Sequence, residues 1–442
     1  MAGVGISPEV PSRSLDVEDL QAAPRLLCVL PIVPLPATTG GALRTLNLVQ
    51  SLETDFELVV LALRHPGQDV DAFRREVRAE VVVAELDRWL PRTAGHVASL
   101  AGSGPLNYSR YAGARLRQAF ARLLQARHFD VIHFDHPHTA QLLPIAKALQ
   151  PWAFTVLDAH NVEADVIART ALMRRWPTRV LGKLHGARVA SLEKQVSQRV
   201  DAVLACSAVD ADRFKEMGAR RVEVIPNPAP PARAVATASG RDVIFVGSLD
   251  WWPNTDAALR LAKEIWPLCR GSLGGSRLAL VGREPPKKLR ALAAPDVLVT
   301  GSVASVEPWL KSAWATAIPL RAGSGTRIKI LEAWSARVPV VATSLAVEGL
   351  PARHGENLFI AETPVEFAAA LQRLYTDPAL RERLADAGAR TIAQFDRALL
   401  RRRIVELYRE WTAAQAQTAT RKPSSPWREE AQQRGPSILA AR

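Results

Sequence analysis

The stretch Ala317–Leu350, AIPLRAGSGTRIKILEAWSARVPVVATSLAVEGL, restricts this chain more than any other. Ala317–Leu320 and Pro339–Thr343 read as buried strands, with a helix opening at about Thr326 between them. A strand, a turn, a helix and a second buried strand close onto a parallel sheet. The turn carries Gly323 and Gly325, which let a backbone approach a ligand closely. The free N–H groups of the helix, with Thr326 at its start, point back at that turn, and Arg321, Arg327 and Lys329 fall beside it. A single carboxylate, Glu332, lies about two turns inside the helix. Amides and cations suit a diphosphate, and a lone carboxylate suits sugar hydroxyls, so the stretch reads as a nucleotide-sugar site.

The same alternation runs along the chain. RLLCVLPIV, FELVVLALR, FDVIHFD, AFTVLDAH and VDAVLACS read as strands separated by helical patterns, several of them apolar on both faces. VEVIPNPAPPARAVATASG breaks the pattern, and a second alternating unit begins at RDVIFVGSL. The expected fold is therefore α/β, with two Rossmann-like doubly wound domains facing across a cleft. Residues 1–23 are expected to form a disordered leader, 24–226 the first Rossmann-like domain, 227–240 the hinge and 241–395 the second, which carries the nucleotide-sugar stretch. Residues 396–415 form a helix, to about Thr412, that packs back on the first domain, and 416–442 a disordered tail.

With 442 residues, 48% of them hydrophobic, the chain exceeds what one core holds. No apolar run is long enough for a membrane span, and the first residues lack a signal peptide's apolar region. Cys28, Cys206 and Cys269 are scattered in apolar runs and read as core residues in a reducing cytoplasm. The formal charge of +13 comes without an aromatic–basic nucleic-acid module. It reads either as a proteome bias toward arginine or as a peripheral contact with an anionic inner-membrane face.

TTGGALRTLNLVQSL, DAHNVEA, ACSAVDADRF followed by VIPNP, FVGSLDWWPNTDA and above all LRAGSGTRIKILEAWSARVPVVATSLAVEGL carry a resemblance to glycosyltransferase family 4, of the GT-B fold. The resemblance implies transfer of a sugar from a nucleotide sugar, UDP or GDP unresolved, to a saccharide or lipid-linked saccharide acceptor. Retention, no metal and no cofactor are also implied, in polysaccharide or envelope glycolipid synthesis. Gly40 and Gly41 would lie beside the donor phosphates, Thr300 and Gly301 near the base, and Glu332 on the ribose. His160 would work near the anomeric centre, with Asn161, Glu163, His133 and His136 on the acceptor side.

The chain departs from the family pattern twice. Ser324 stands eight residues before Glu332, where relatives carry a first glutamate, and FVGSLDWWPN lacks the arginine and lysine that neutralise the leaving diphosphate. Arg321 and Arg327 are the expected substitutes, with the AGSG loop engaging the sugar through Ser324 and backbone amides. These departures keep two alternatives open: a GT-B-like binding or scaffold protein without turnover, and a nucleotide-sugar epimerase. HFDHPH carries ligand-type residues but no metal-site spacing.

Overall fold

Runs such as LLCVL and LVVLAL turn no polar side chain toward water on either side, so they settle in a sheet covered on both faces. The computed structural model, which describes residues 23–37, 39–87, 108–173, 176–230, 240–323, 325 and 327–420, contains two such sheets. The first comprises β1 (Arg25–Leu30), β2 (Glu57–Arg64), β3 (Glu80–Glu85), β4 (Val131–Asp135), β5 (Phe154–Ala159), β6 (Ala202–Ala205) and β7 (Val222–Val224). The second comprises β8 (Asp242–Val246), β9 (Arg277–Val281), β10 (Val297–Val299), β11 (Ala313–Ile318), β12 (Val340–Ala342) and β13 (Phe359–Ile360). Their orders are β3-β2-β1-β4-β5-β6-β7 and β10-β9-β8-β11-β12-β13, parallel throughout. Each order reverses once, between β1 and β4 and between β8 and β11. Loops diverge at such a switch point and leave a crevice beyond the carboxyl ends of the strands.

Alternation along β1 sends Leu27 and Val29 into one core with Phe120 and Phe134, and Leu26, Cys28 and Leu30 into another with Leu48, Val49 and Phe73. A third core, around Trp266 and Trp334, encloses the second sheet. Six helices concern the site: α1 (Gly40–Leu52), α2 (Glu163–Leu172), α3 (Thr178–Arg199), α4 (Trp252–Arg260), α5 (Ile328–Ser335) and α6 (Arg397–Thr420). The Oγ1 of Thr39 accepts the Ala42 N–H at 3.2 Å and caps α1, one turn before its first apolar positions.

Helix α6 follows the second sheet in the chain but packs on the first. Ile404, Val405, Leu407, Tyr408 and Trp411 join the core of Leu26 and Cys28, at the spacing of one helical face. Trp411 stacks on Phe154 with ring centroids 5.1 Å apart, and Arg403 and Arg409 pair with Glu223 and Asp55 at the rim. The helix continues to Thr420, past its expected end near Thr412, so the first residues of the expected tail are helical. Alanine and glutamine favour helix, and no Gly or Pro interrupts before Pro423. Residues 1–22 of the leader, 88–107, 231–239 of the expected hinge and 421–442 lie outside the described residues.

Because Trp411 is 1% exposed in a core shared by both ends of the chain, Trp411→Ala is expected to destabilise the first domain by about 3–5 kcal/mol. Chemical denaturation followed by circular dichroism measures this. An unchanged midpoint would show that α6 is not part of that core.

Candidate active site

The two crevices open into one cavity of about 870 Å³, lined by Gly40, Gly41, His136 and His160 from the first sheet's loops and by Gly247, Asn254, Arg327, Lys329 and Glu332 from the second's. On the first side, two apolar strands end in carboxylates. Asp135 closes β4, and Asp158 lies one residue before the end of β5. The Nε2 of His160 sits 2.7 Å from Oδ1 of Asp135, whose Oδ2 accepts the Thr45 hydroxyl at 2.8 Å. Asp158 accepts from Nε of Arg44 at 2.9 and 3.0 Å, and Nη1 of Arg44 donates to the Ile225 carbonyl at 2.7 Å and to Oδ1 of Asn227 at 3.2 Å. Burial opposes charge on His160, but Asp135 and Asp158 outweigh it and raise its pKa. Burial likewise opposes the charge of Asp135, yet His160 holds its carboxyl below the usual range. The result is an oriented imidazole biased toward its cation. Its Nδ1 edge lies against Gly41, where a Cβ would stand 3.1 Å away.

His133, expected on the acceptor side, does not line the cavity. It lies within β4, two residues before Asp135 and on the same face, beneath the cavity floor; it is fully buried, with Nδ1 2.6 Å from the Tyr408 hydroxyl of α6. Burial lowers its pKa and keeps the ring neutral. Atoms of His133, Asp135 and Asp158 lie within 4.8 Å of one another, as ligands of a cation would, and Arg44 and His160 bring positive charge to the two carboxylates. His136 and Asn161 line the cavity, whereas Glu163 stands behind them as the first residue of α2. It accepts from Nδ2 of Asn161 at 2.9 Å and faces Nε2 of His136 at 3.3 Å. Against its burial, His136 and His138 hold Glu163 at about 2.

On the second side, Glu332 lines the cavity one turn into α5 rather than two, because the helix starts at Ile328. Arg327 is 6% exposed; burial lowers its pKa to about 10, against the opposite pull of Glu348 and Asp210. Lys329 donates to Oδ1 of Asn254 at 2.6 Å and lies over the Phe245 ring. Burial and then Arg327 push it down to about 7, with Glu332 opposing. An anionic ligand would relieve the desolvation that lowers both pKa values.

Arg321 does not join them. It pairs with Asp256 of α4 through Nε at 2.9 Å and Nη2 at 2.6 Å, outside the cavity lining. Asp256 lies two positions beyond Asn254, about 200° around the helix, and draws the guanidinium away. Thr300 and Gly301 also stop short. The Thr300 hydroxyl bonds the Gly301 carbonyl at 2.8 Å, and the residues after them, Ser302–Val306, reach the cavity. Gly323 and Gly325, at φ 133° and 75°, close the loop onto the first domain instead of lining the cavity. The Gly323 carbonyl accepts from Arg169 at 2.7 Å, and a Cβ on Gly325 would meet the His160 carbonyl at 2.5 Å. Ser324 and Thr326 lie outside the described residues. Arg44, Thr45, Asp158 and Asn227 are not singled out by the sequence, whereas Asp135 falls in HFDHPH and Asn254 in FVGSLDWWPN; the one available signal for Asp158 is a carboxylate closing an apolar strand, as Asp135 does.

The 4-like glycosyl transferase domain model matches residues 39–228, and the model of glycosyl transferases group 1 matches residues 240–377. The phosphatidyl-myo-inositol mannosyltransferase of Mycobacterium leprae (strain TN) is 24% identical over 296 residues, 63% of this chain and 73% of that protein. The D-inositol 3-phosphate glycosyltransferase of Acidothermus cellulolyticus is 26% identical over 335 residues, 65% of this chain and 74% of that protein. Sucrose-phosphate synthase from Thermosynechococcus elongatus shares the fold with a TM-score of 0.65 at 14% identity, covering 88% of this chain and all of that one, 100%. Anabaena HepE, solved with UDP and glucose, follows at 0.64 and 16%, covering 87% and 99%. With the second sheet and all of the first but β1 inside the matched segments, and the cavity built where their switch points meet, the chain belongs to the group 1 glycosyltransferases of family 4, enzymes of the GT-B fold.

Proposed function

We propose that this glycosyltransferase moves a sugar from a UDP- or GDP-sugar to a hydroxyl of a saccharide or lipid-linked acceptor, with retention and without a metal, in exopolysaccharide or envelope glycolipid synthesis at the inner face of the membrane. One observation carries the donor assignment: a buried arginine, a partly buried lysine and one carboxylate, Arg327, Lys329 and Glu332, face the glycine start of α1 across a single cavity. The names of the two curated relatives, which act on phosphatidyl-inositol and inositol phosphate, support a hydroxyl acceptor on an anionic carrier.

In this reading, the diphosphate lies between the Gly40 and Gly41 end of α1, whose free N–H groups favour anions, and the cations of Arg327 and Lys329. Glu332 takes the ribose hydroxyls. As the bond from the anomeric carbon to the diphosphate oxygen breaks, charge builds on the leaving group, and the two cations and the helix end are already in place to receive it. The acceptor oxygen bonds the anomeric carbon on the same face, and its proton passes to the departing diphosphate. His160, fixed by Asp135 and flanked by Asn161, orients the hydroxyls at that centre. Closure of the cavity excludes water and so limits donor hydrolysis.

The direct test is turnover of radiolabelled nucleotide sugars by the full chain, with and without EDTA. Transfer to an acceptor, unchanged by EDTA, is expected. Binding without turnover would favour a scaffold, and nucleotide release with an epimerised free sugar an epimerase. Glu332→Gln is expected to lower kcat/KM for the donor by about ten- to a hundredfold, the worth of one charge-assisted hydrogen bond. Arg321→Ala, outside the cavity, is expected to leave it within about twofold. The reverse ranking of those two variants would relocate the diphosphate.

Lys329 gives the site a pH signature. Its pKa of about 7 in the free protein rises when a diphosphate binds, so binding above pH 7 takes up a proton and affinity falls as pH rises. Calorimetry at pH 8 in buffers of different ionisation enthalpy is expected to report that uptake. Lys329→Arg, always charged, should abolish it; uptake that survives the substitution would assign the proton elsewhere.

A further inference from the structure

Helix α3 presents a face that the fold does not cover. Its buried side is made by Gly186, Val189 and Glu193, and Gly182 brings it so near α2 that a Cβ there would stand 2.8 Å from the Cβ of Ala171. On the opposite side, Trp176 just ahead of the helix, Val180 and Leu184 recur every fourth residue, with Leu181 beside them and Leu172 at the end of α2. Trp176 is 79% exposed and Val180 54%, on a surface where a water-facing helix ordinarily carries charge. The charges that are present have one sign. Between Asp165 and Glu193 the sequence holds no Asp or Glu, but it holds Arg169, Arg174, Arg175, Arg179, Lys183 and Arg188. Arg169 is engaged by Glu348, while Arg179 and Lys183 are exposed and flank the apolar row.

We propose that this face docks on an anionic lipid bilayer, with Trp176, Val180 and Leu184 at the headgroup–acyl boundary and Arg179 and Lys183 against the headgroups. An amphipathic helix with a basic flank and an exposed tryptophan lies in that plane. Charge complementarity selects the occupant. A second copy across a two-fold axis would set this all-cationic surface against itself, whereas an anionic bilayer supplies both the apolar layer and the opposite charge. Among the described residues no helix is long and apolar enough to cross a membrane, so the contact is a surface one. The helix that carries the patch reaches toward the cavity with its other face, through two ring contacts. The His185 ring of α3 lies 6.4 Å from Tyr108, which stacks at 4.0 Å on His138, a cavity-lining residue. Docked in this way, the chain presents that side of the cavity to an acceptor held in the lipid layer. That last step rests on the transferase reading, but the docking does not.

Co-sedimentation of the full chain with phosphatidylcholine vesicles, with and without phosphatidylglycerol, tests the docking without any readout of turnover. Binding only to the anionic vesicles is expected. Arg179→Ser/Lys183→Ser should weaken it about thirtyfold, from the usual worth of two cations near a charged surface. Trp176→Ser/Leu184→Ser should weaken it comparably, while Lys287→Ser/Lys288→Ser, on an exposed turn of the second domain, should leave it unchanged. Circular dichroism confirms that each variant is folded. Equal binding to both vesicle types, or equal losses in the patch and control variants, would overturn the proposal. So would patch variants that convert a dimer to a monomer in sedimentation velocity yet still bind vesicles.

Discussion

The buried pair of Arg44 and Asp158 is the interaction on which the rest of the site depends. Both side chains are almost wholly inaccessible, at 4% and 0% exposure, and a lone charge there would be prohibitive. The guanidinium therefore has to satisfy its donors locally, and it does so on three parts of the chain at once: the end of β5, the Ile225 carbonyl after β7, and Asn227 in the segment leading to the second domain. Asp135, beside it, is satisfied by Thr45 from the same helix turn and by His160. Neighbouring residues of α1 thus hold the two strand-end carboxylates, and the carboxylates hold the imidazole. The position of His160 follows from charge balance in the core beneath it more than from its own loop.

Close backbone approach sets the other half of the geometry. A Cβ at Gly40 would lie 2.8 Å from the Ile328 side chain, and one at Gly349 2.4 Å from that of Ser207. With Gly325 against the His160 carbonyl, the second domain's loops meet the first domain at points where a side chain would hold them apart. Arg169 adds a partly exposed bridge to Glu348 that solvent weakens. Inside the cavity, Arg327 is a cation largely stripped of water, and Lys329 is held at a pKa of about 7 until an anion favours its charge; a charge in such surroundings acts strongly on an anion.

What could be read from the residues depended on the distance over which each effect acts. Strand–helix alternation is local, so the two sheets and the strand-end loops were legible, as were Lys329 and Glu332 at fixed offsets on one helix. Arg321 was not, because its direction is decided by Asp256, 65 residues away on α4. His133 was misplaced for a local reason that was available: in β4 it shares a face with Asp135, and a residue two positions before a strand end lies under the sheet edge rather than above it. The Arg44–Asp158 pair spans 114 residues and the His133–Tyr408 contact 275, and no spacing rule encodes either.

That last contact ties the end of the chain to the chemistry. Tyr408 reaches from α6 to His133, directly beneath the carboxylates that orient His160, so the floor of the first domain's site is completed by a helix that follows the second domain. The polypeptide therefore passes between the sheets twice, once after Ile225 and once before Arg397. Two covalent crossings tether the sheets at two points, where a single linker would tether them at one. One crossing carries Asn227, a partner of Arg44, and the other leads into the helix bearing Tyr408. The two crossings are thus anchored on side chains that hold Asp158 and underlie His160, so the link between the sheets and the support of that imidazole share residues.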